Sequence, residues 1–170
     1  MINGAGNILN NVLTGNGAAN VLTADAGNDT LNGGAANDSL IGGAGNDTYM
    51  FGRGYGVDTV TENDAAVGNS DLALFGSGIT TNQLWFTRAG NNLDVSIIGT
   101  SDRMVMKDWY LGSQYHTEQF KTADGKMLLD SRVDALVSAM ASFAPPAVGQ
   151  TTLSPEYETA LAPVLAANWQ

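Results

Sequence analysis

An apolar residue recurs every nine positions along the first third of the chain. The recurring residues are Leu13, Leu22, Leu31, Leu40 and Tyr49. Two places before them stand Asn11, Asn20, Asp29, Asp38 and Asp47. A nine-residue period kept over five copies predicts a repeat architecture, in which each unit buries one apolar side chain and stacking builds the core.

The repeat frame also predicts local structure. The units read GNILNNVLT, GNGAANVLT, ADAGNDTLN, GGAANDSLI and GGAGNDTYM over residues 6–50, and a stretched unit, FGRGYGVDTV, follows with Asp58 displaced by two places. Glycines early in the unit permit positive φ and a tight turn, and the residues around the eighth position predict a very short strand. If two units form one coil, turns 18 residues apart lie on the same edge, about 4.8 Å from each other.

From about Asp71 the pattern changes to apolar and polar alternation, which is typical of strands. The predicted strands are 71–75, 83–88, 93–98, 103–107, 115–121 and 126–130, with hairpin turns at AGNN (89–92) and ADG (123–125). We interpret this stretch as a β cap that covers the open end of the stacked repeats. Trp85, Phe86 and Trp109 are expected inside it.

The last 40 residues predict two helices. The first covers 130–144, with Asp130 or Ser131 as its cap and PP at 145–146 after its end. Its expected buried face is Val133, Leu136, Val137 and Met140. The second covers 154–169, with Ser154 as cap, and Pro163 is expected to interrupt it.

Negative charge is concentrated without compensation in the repeats. The chain has 17 acidic and 7 basic residues, a formal net charge of −10, and within residues 1–64 only Arg53 opposes seven carboxylates. This balance argues against nucleic acid or anionic lipid as partners. Carboxylates stacked on one edge would repel without cations between them, and oxygen ligands favour Ca²⁺ over zinc or copper. Without calcium, the same Gly/Asn/Asp-rich composition favours disorder.

Other sequence features limit the remaining classes. There is no cysteine, so disulfides and thiolate zinc sites are excluded. No apolar run approaches the ~20 residues of a membrane span, and no cleavable signal peptide is visible at the N-terminus. We expect the chain to be part of a longer protein with a cargo domain upstream.

The unit GGAGNDTYM resembles the RTX calcium-binding repeat, G-G-x-G-x-D-x-U-x. This resemblance implies an all-β parallel β-roll, with one Ca²⁺ between turns i and i+2. Each ion would be held by turn carbonyls and by two carboxylates at the sixth position. The resemblance covers roughly residues 6–60.

Carried onto this sequence, the resemblance implies four sets of calcium ligands. The first is Asp25, through its carbonyl, Gly27 and Asp29 with Gly42, Ala44 and Asp47. The second is Gly34, Ala36 and Asp38 with Phe51, Arg53 and Asp58. The third is Gly43, Gly45 and Asp47, closed by Glu62 or Asp64. The fourth is Asn16, Ala18 and Asn20 with Gly33, Ala35 and Asp38, and it is weaker because Asn20 is neutral. The first two units are expected to form either a metal-free part of the stack or an unsupported edge.

The region from about Asp71 to Asp130 resembles the segment that follows the repeats in haemolysin-type RTX proteins. We therefore expect three regions: repeats at 1–64, a β-rich cap at 65–130 and a helical tail at 131–170. In the RTX family the extreme C-terminus is an uncleaved type I secretion signal, and this alanine-rich, charge-poor tail suits that role. Two helices that pack on the cap are an equally valid interpretation of the tail, and the two interpretations are compatible.

The sequence offers no convincing catalytic motif. His116, the only histidine, has no partner motif, and Asp102 and Asp108 are interpreted as turn residues. GRGYG at 52–56 continues the repeat frame and lacks the Lys-Ser/Thr of a phosphate loop. We therefore expect a non-enzymatic calcium-binding module of a type I-secreted protein. The alternative is an extracellular interaction module that calcium only stiffens, and a third class places a hydrolase upstream in the parent protein.

Overall fold

Short parallel strands alternate between two sheets in the first half of the chain. The computed structural model describes residues 3–170, so the first two residues of the predicted roll lie outside the described part. The strands are β1 (Gly4–Ala5), β2 (Val12–Thr14), β3 (Val21–Ala26), β4 (Thr30–Asn32), β5 (Ser39–Ala44), β6 (Thr48–Phe51), β7 (Val57–Thr61) and β8 (Leu72–Phe75). Odd-numbered strands of this set lie in one sheet and even-numbered strands in the other. This is the predicted parallel β-roll.

The register of the strands confirms two nonapeptides per coil. Val21 pairs with Ser39 and Thr30 with Thr48, both 18 residues apart. The pairing of Ser39 with Thr59 absorbs the two extra residues of the stretched unit. The eighth-position side chains meet between the sheets and are buried: Leu13, Leu22, Leu31, Leu40, Tyr49 and Val60. Because each unit contributes one such side chain, the core of the roll is thin and depends on stacking.

The cap continues both sheets of the roll. Its strands are β9 (Leu84–Ala89), β10 (Asn92–Ile97), β11 (Arg103–Met106), β12 (Gln119–Lys121) and β13 (Met127–Leu129). Strand β11 pairs in parallel with β7, and β12 pairs in parallel with β8. The predicted hairpins join β9 to β10 and β12 to β13. The cap therefore covers the last strands of the roll, and Trp85, Phe86 and Trp109 are buried in it as expected.

The two C-terminal helices pack on the cap. Helix α1 is Val133–Met140 and helix α2 is Pro155–Asn168. Ser154 caps α2, since its Oγ accepts from the Tyr157 N–H at 3.3 Å. Beyond α2, the backbone of Gln170 exchanges hydrogen bonds of 2.8 and 2.9 Å with Met127. No helix in the part of the chain that the structure describes is both long and apolar enough to cross a membrane.

Three predicted details of these elements are wrong. Helix α1 begins at Val133, after a 3-10 turn at Asp130–Arg132, because the Asp130 carboxylate is already engaged by His116 and by the Ser131 N–H. Helix α2 continues through Pro163, which lies on its exposed face, where water can solvate the carbonyl that loses its donor. The strand predicted at 115–121 is reduced to Gln119–Lys121, preceded by a 3-10 turn at Ser113–Tyr115.

Candidate metal centre

A ladder of acidic side chains runs along one edge of the roll. It consists of the acids that directly precede β4, β6, β8 and β12, namely Asp29, Asp47, Asp71 and Glu118. Asp47 Oδ1 accepts from the Asp29 N–H at 2.8 Å, and Asp71 Oδ1 accepts from the Asp47 N–H at 2.7 Å. Glu118 Oε2 accepts from the Asp71 N–H at 2.7 Å. Each carboxylate is thus fixed by the backbone of the coil before it.

The opposite edge carries a shorter ladder of the same kind. Asp38 Oδ1 accepts from the Asn20 N–H at 2.7 Å, and Asp58 Oδ1 accepts from the Asp38 N–H at 2.9 Å. Beyond Asp58 the pattern changes, because Asp102 of the cap uses both oxygens to accept from the Gly54 and Gly56 N–H groups. Asp102 therefore closes the stretched turn from above.

One oxygen of each inner carboxylate has no donor among the described residues. The unpartnered buried oxygens are Oδ2 of Asp29, Asp38, Asp47, Asp58 and Asp71 and Oε2 of Glu62. All six side chains are buried, at most 3% exposed. Buried carboxylate oxygens are normally paired with a donor or with a metal. An oxygen-liganded divalent cation fits this set of donors, and each ion would neutralise facing carboxylates that now repel.

The turn carbonyls lie directly beneath the glycines of the next coil. A Cβ on Gly43 would overlap the carbonyl oxygen of Asp25, and one on Gly45 would overlap that of Gly27. Gly43 and Gly45 adopt φ of 108° and 127°, where glycine is favoured. The structure thus brings together the two turns that contain the first predicted set of ligands. The carbonyl of Ala44, another member, already accepts from the Gly27 N–H at 2.9 Å.

The second and fourth predicted sets are arranged around Asp38. A Cβ on Gly33, in the same turn, would overlap the Oδ2 of Asp38. The carbonyl oxygen of Ala36 lies beneath Gly56. In an unstretched unit, the residue above Ala36 would come two places earlier in the sequence. The Phe51 carbonyl accepts from the Gly76 N–H within the sheet. Arg53 is exposed, with its guanidinium 3.4 Å from the Ile98 carbonyl.

The third predicted set lies beside three further acids where the roll meets the cap: Glu62, Asp64 and Asp71. Asp64 Oδ2 accepts from the Gly45 N–H at 3.1 Å. Glu62, the other residue considered for closure, lies with Asp47 and Asp71, and one oxygen of each is within 4.8 Å of the others. Sequence reasoning missed Asp71 and Glu118. DLALF and EQFK each begin with an acid that is followed two places later by a buried residue, Ala73 or Phe120. They keep this order of the repeat unit but not its nine-residue spacing, so a search for the period does not find them.

The first two nine-residue units have neutral side chains at the sixth position. Asn11 Oδ1 accepts from the Asn7 N–H at 2.7 Å, and Asn20 Oδ1 accepts from the Asn16 N–H at 2.8 Å. These amides close their own turns.

Burial raises the pKa values of the acids that line the two edges of the roll. The pKa of Asp47 rises from 3.8 to about 6, and those of Asp58 and Asp71 rise from 3.8 to about 7. The pKa of Glu62 rises from 4.5 to about 9. Desolvation is the largest cause in each case, and neighbouring carboxylates add to it. Without a cation, the fold therefore favours protonated acids.

These shifts predict opposite pH responses with and without calcium. Because the folded-state pKa values lie above the unfolded ones, the metal-free fold is stabilised fully below pH ~4 and loses that contribution as pH rises through 6–9. Calcium competes with the same protons, so its affinity should rise with pH. Circular dichroism of the metal-depleted chain at pH 5 and pH 8 tests the first part, with more β structure expected at pH 5. A metal-free roll that is more stable at pH 8 would contradict it.

His116 has a packing role in the cap. Its ring stacks on Trp109 with centroids 4.0 Å apart, and its Nδ1 and Nε2 lie 3.1 Å from Asp130 Oδ2 and 3.0 Å from the Trp109 carbonyl. Both ring nitrogens are therefore engaged by neighbouring residues of the cap.

Comparison with known proteins gives two family matches. Residues 5–40 and 25–58 match the model of the RTX calcium-binding nonapeptide repeat (4 copies). Residues 92–131 match the model of the haemolysin-type calcium binding protein related domain. Together the two models cover more than half of the chain.

Individual proteins are similar over parts of the chain. The iron-regulated protein FrpA of Neisseria meningitidis serogroup C is 40% identical over 90 residues, which make up 51% of this chain and 8% of FrpA. The crystal structure of the extracellular lipase LipA from Serratia marcescens aligns with 61% of this chain and 18% of its own, at 19% identity and a TM-score of 0.34. The repeats, their parallel roll and the family matches agree, and the chain belongs to the RTX family of calcium-binding nonapeptide-repeat proteins.

Proposed function

We propose that this chain is the calcium-responsive folding module of a protein exported by a type I secretion machinery. In the producing cell, where free calcium is low, the acidic roll stays unfolded and can pass through a channel. Outside, Ca²⁺ binds, the roll folds, and the folded module assists the folding of upstream cargo. Extracellular calcium modules bind with Kd of roughly 10⁻⁴–10⁻³ M, which suits such a switch.

The unpartnered carboxylate oxygens are the observation that carries this proposal. Fixing each residue of the roll costs about 1–2 kcal/mol of backbone entropy, and each unit buries only one or two apolar side chains in return. The buried, facing carboxylates oppose folding further. Cation binding supplies the missing free energy, as in other small domains whose metal binding and folding are coupled.

Within the roll, we assign two ions to the pairs of facing carboxylates. One ion is held by Asp29 and Asp47 with the surrounding turn carbonyls of Asp25, Gly27, Gly42 and Ala44. The other is held by Asp38 and Asp58 with carbonyls of Gly34, Ala36 and the stretched turn at 53–56. The bound Ca²⁺ supplies positive charge, and the chain's own residues supply oxygens and turn geometry. We assign no catalytic role to this module.

The C-terminal tail is proposed as the export signal. Because the tail also packs on the cap, a test must separate loss of the signal from loss of this packing. Tyr157 and Trp169 of the tail pack against Trp85 and Phe86 of the cap. Removing the residues after Phe143 therefore deletes the signal and uncovers the cap together. Trp169→Ala weakens the packing but keeps the rest of the tail, so it is the matched control.

Export of a fusion through its type I transporter tests this assignment. We expect the chain truncated after Phe143 to remain in the producing cell, while Trp169→Ala still reaches the medium. Calcium binding by the repeats should persist in both. Export of the truncated chain through the same transporter would make the tail purely structural, and would favour the alternative of an interaction module.

A further inference from the structure

Four exposed asparagines reach from one coil of the roll to the next. They are the fifth residues of their units: Asn10, Asn28, Asn37 and Asn46. The repeat pattern G-G-x-G-x-D-x-U-x leaves this fifth position open to any residue. We propose that these asparagines are positioning residues, each of which places the carboxylate of the next coil for the cation. This inference rests on the proposed calcium-dependent folding and deepens it.

The same hydrogen bond is repeated along the edge that carries Asp29 and Asp47. Asn10 Oδ1 accepts from the Asn28 N–H at 2.8 Å, and Asn28 Oδ1 accepts from the Asn46 N–H at 3.0 Å. Asn46 Oδ1 accepts from the Ser70 N–H at 2.8 Å. The donors share one property, since each directly precedes an acid of the ladder: Asp29, Asp47 and Asp71.

The opposite edge keeps this bond although its unit is stretched. Asn37 Oδ1 accepts from the Val57 N–H at 2.9 Å, over 20 residues instead of 18. Val57 again directly precedes an acid, Asp58. On the first edge, the bond from Ser70 to Asn46 spans 24 residues. The bond therefore follows the position of the acid through both insertions, which is expected if its role is to place that acid.

Each acid of an internal turn is held between two coils through consecutive N–H groups. The Asn46 N–H donates to Asn28 in the coil before it. The next N–H, that of Asp47, donates in the other direction, to Asp71. The turn at 28–29 is held in the same way. With both groups fixed, the backbone directs the Asp47 carboxylate, and a group that is already directed loses less freedom when an ion binds.

A glycine of the next turn makes room for each amide on the two edges. A Cβ on Gly45 would lie 3.1 Å from Asn28 Oδ1, and one on Gly56 would lie 2.8 Å from Asn37 Oδ1. Both glycines have positive φ, 127° and 86°, and both directly precede the residue that donates to the asparagine. The asparagine and the glycine above it are therefore fitted to each other.

The asparagine bond differs from the carboxylate ladder because it carries no charge. An amide oxygen accepts an N–H group at any calcium concentration, so it holds the coils together without adding to the repulsion between carboxylates. The preference of an oxygen site among divalent cations depends on its size and flexibility. A bond that fixes the spacing of two coils should therefore control cation preference as well as affinity.

The calcium and strontium midpoints of folding test the proposal, with circular dichroism of the whole chain as the signal. Strontium has the charge of calcium but a larger radius, so a site of fixed size discriminates between them. Asn28→Ala removes the bond between the turns of Asp29 and Asp47. We expect its calcium midpoint to rise about threefold to tenfold, the size of one net hydrogen bond, and the ratio of the two midpoints to approach one. An unchanged ratio would overturn the proposal, because a merely structural loss raises both midpoints by the same factor.

Two further variants separate positioning from general loss of stability. Asn7→Ala is the matched control, because Asn7 is exposed and its Oδ1 accepts from the Leu9 N–H at 2.9 Å within its own turn. It should leave the ratio unchanged, and a change as large as that of Asn28→Ala would count against the proposal. Asn28→Asp keeps an oxygen at the same place, and its charge acts on both ions alike, so the wild-type ratio should return. A ratio like that of Asn28→Ala would overturn the assignment.

The opposite edge supplies the same measurement if Asn28→Ala does not fold. Asn37→Ala removes the equivalent bond to Val57, and its ratio should approach one as well. An unchanged ratio there would overturn the proposal. A wild-type chain that folds with neither cation would instead refute the proposed function itself.

Discussion

Replacing Gly43 by alanine is expected to prevent the central coils of the roll from stacking. The new Cβ would overlap the carbonyl oxygen of Asp25 and lie 2.7 Å from its carbonyl carbon, and Gly43 has φ of 108°. The obstacle is main chain, which cannot rotate away as a side chain could. Strain and overlap together should cost roughly 2–5 kcal/mol, a large share of a typical total stability of about 5–15 kcal/mol.

Gly17→Ala is the matched control for this substitution. A Cβ at Gly17 meets nothing within 4 Å, and the residue is exposed. Its effect should stay within about 0.5 kcal/mol. Denaturant unfolding in saturating calcium measures both variants. Similar midpoints for the two would mean that the turns are not stacked as closely as the structure shows.

Replacing Asp47 by asparagine should weaken calcium-induced folding more than any other single loss of charge in the roll. Asp47 faces Asp29 below and lies with Glu62 and Asp71 above, and it belongs to both the first and the third predicted ligand sets. Calcium affinity depends on the number of charged ligands. We expect the calcium midpoint to rise by about tenfold or more, which corresponds to at least about 1.4 kcal/mol, and the transition to become less cooperative.

Asp25→Asn supplies the comparison for Asp47→Asn. Asp25 contributes only its carbonyl to the proposed site, its side chain is exposed, and asparagine tolerates its φ of 85°. The midpoint should therefore change little. Calcium titration followed by circular dichroism measures both variants. Equal, small shifts would show that the ions are not held by the ladder of sixth-position carboxylates.

The sequence predicted the roll well because its information is local and periodic. The nine-residue spacing of Leu22, Leu31 and Leu40 determines both the buried face and the 18-residue register. The glycine turns follow from the same frame. The carboxylates at Asp29, Asp38 and Asp47 were placed on two edges by this register alone.

The junction with the cap was harder to predict because its spacing is irregular. Asp71 follows Asp47 by 24 residues and Glu118 follows Asp71 by 47, yet hydrogen bonds connect each to the one before. Insertions of different lengths hide this ladder from a periodic search. Parallel pairing of β11 with β7 is similarly non-local, because 46 residues separate Arg103 from its partner Val57. Only the folded chain shows that these segments extend the same two sheets.

Amide hydrogen exchange over residues 3–62, measured by mass spectrometry at pH 7.5, tests the central claim most directly. Calcium, magnesium and metal-free samples are compared at matched ionic strength. We expect slow exchange in β3 to β7 with calcium and rapid exchange without metal. Magnesium should give values near the metal-free ones, because it demands a tighter octahedral site. Equal protection of these strands with and without calcium would contradict the account of a roll whose folding depends on calcium.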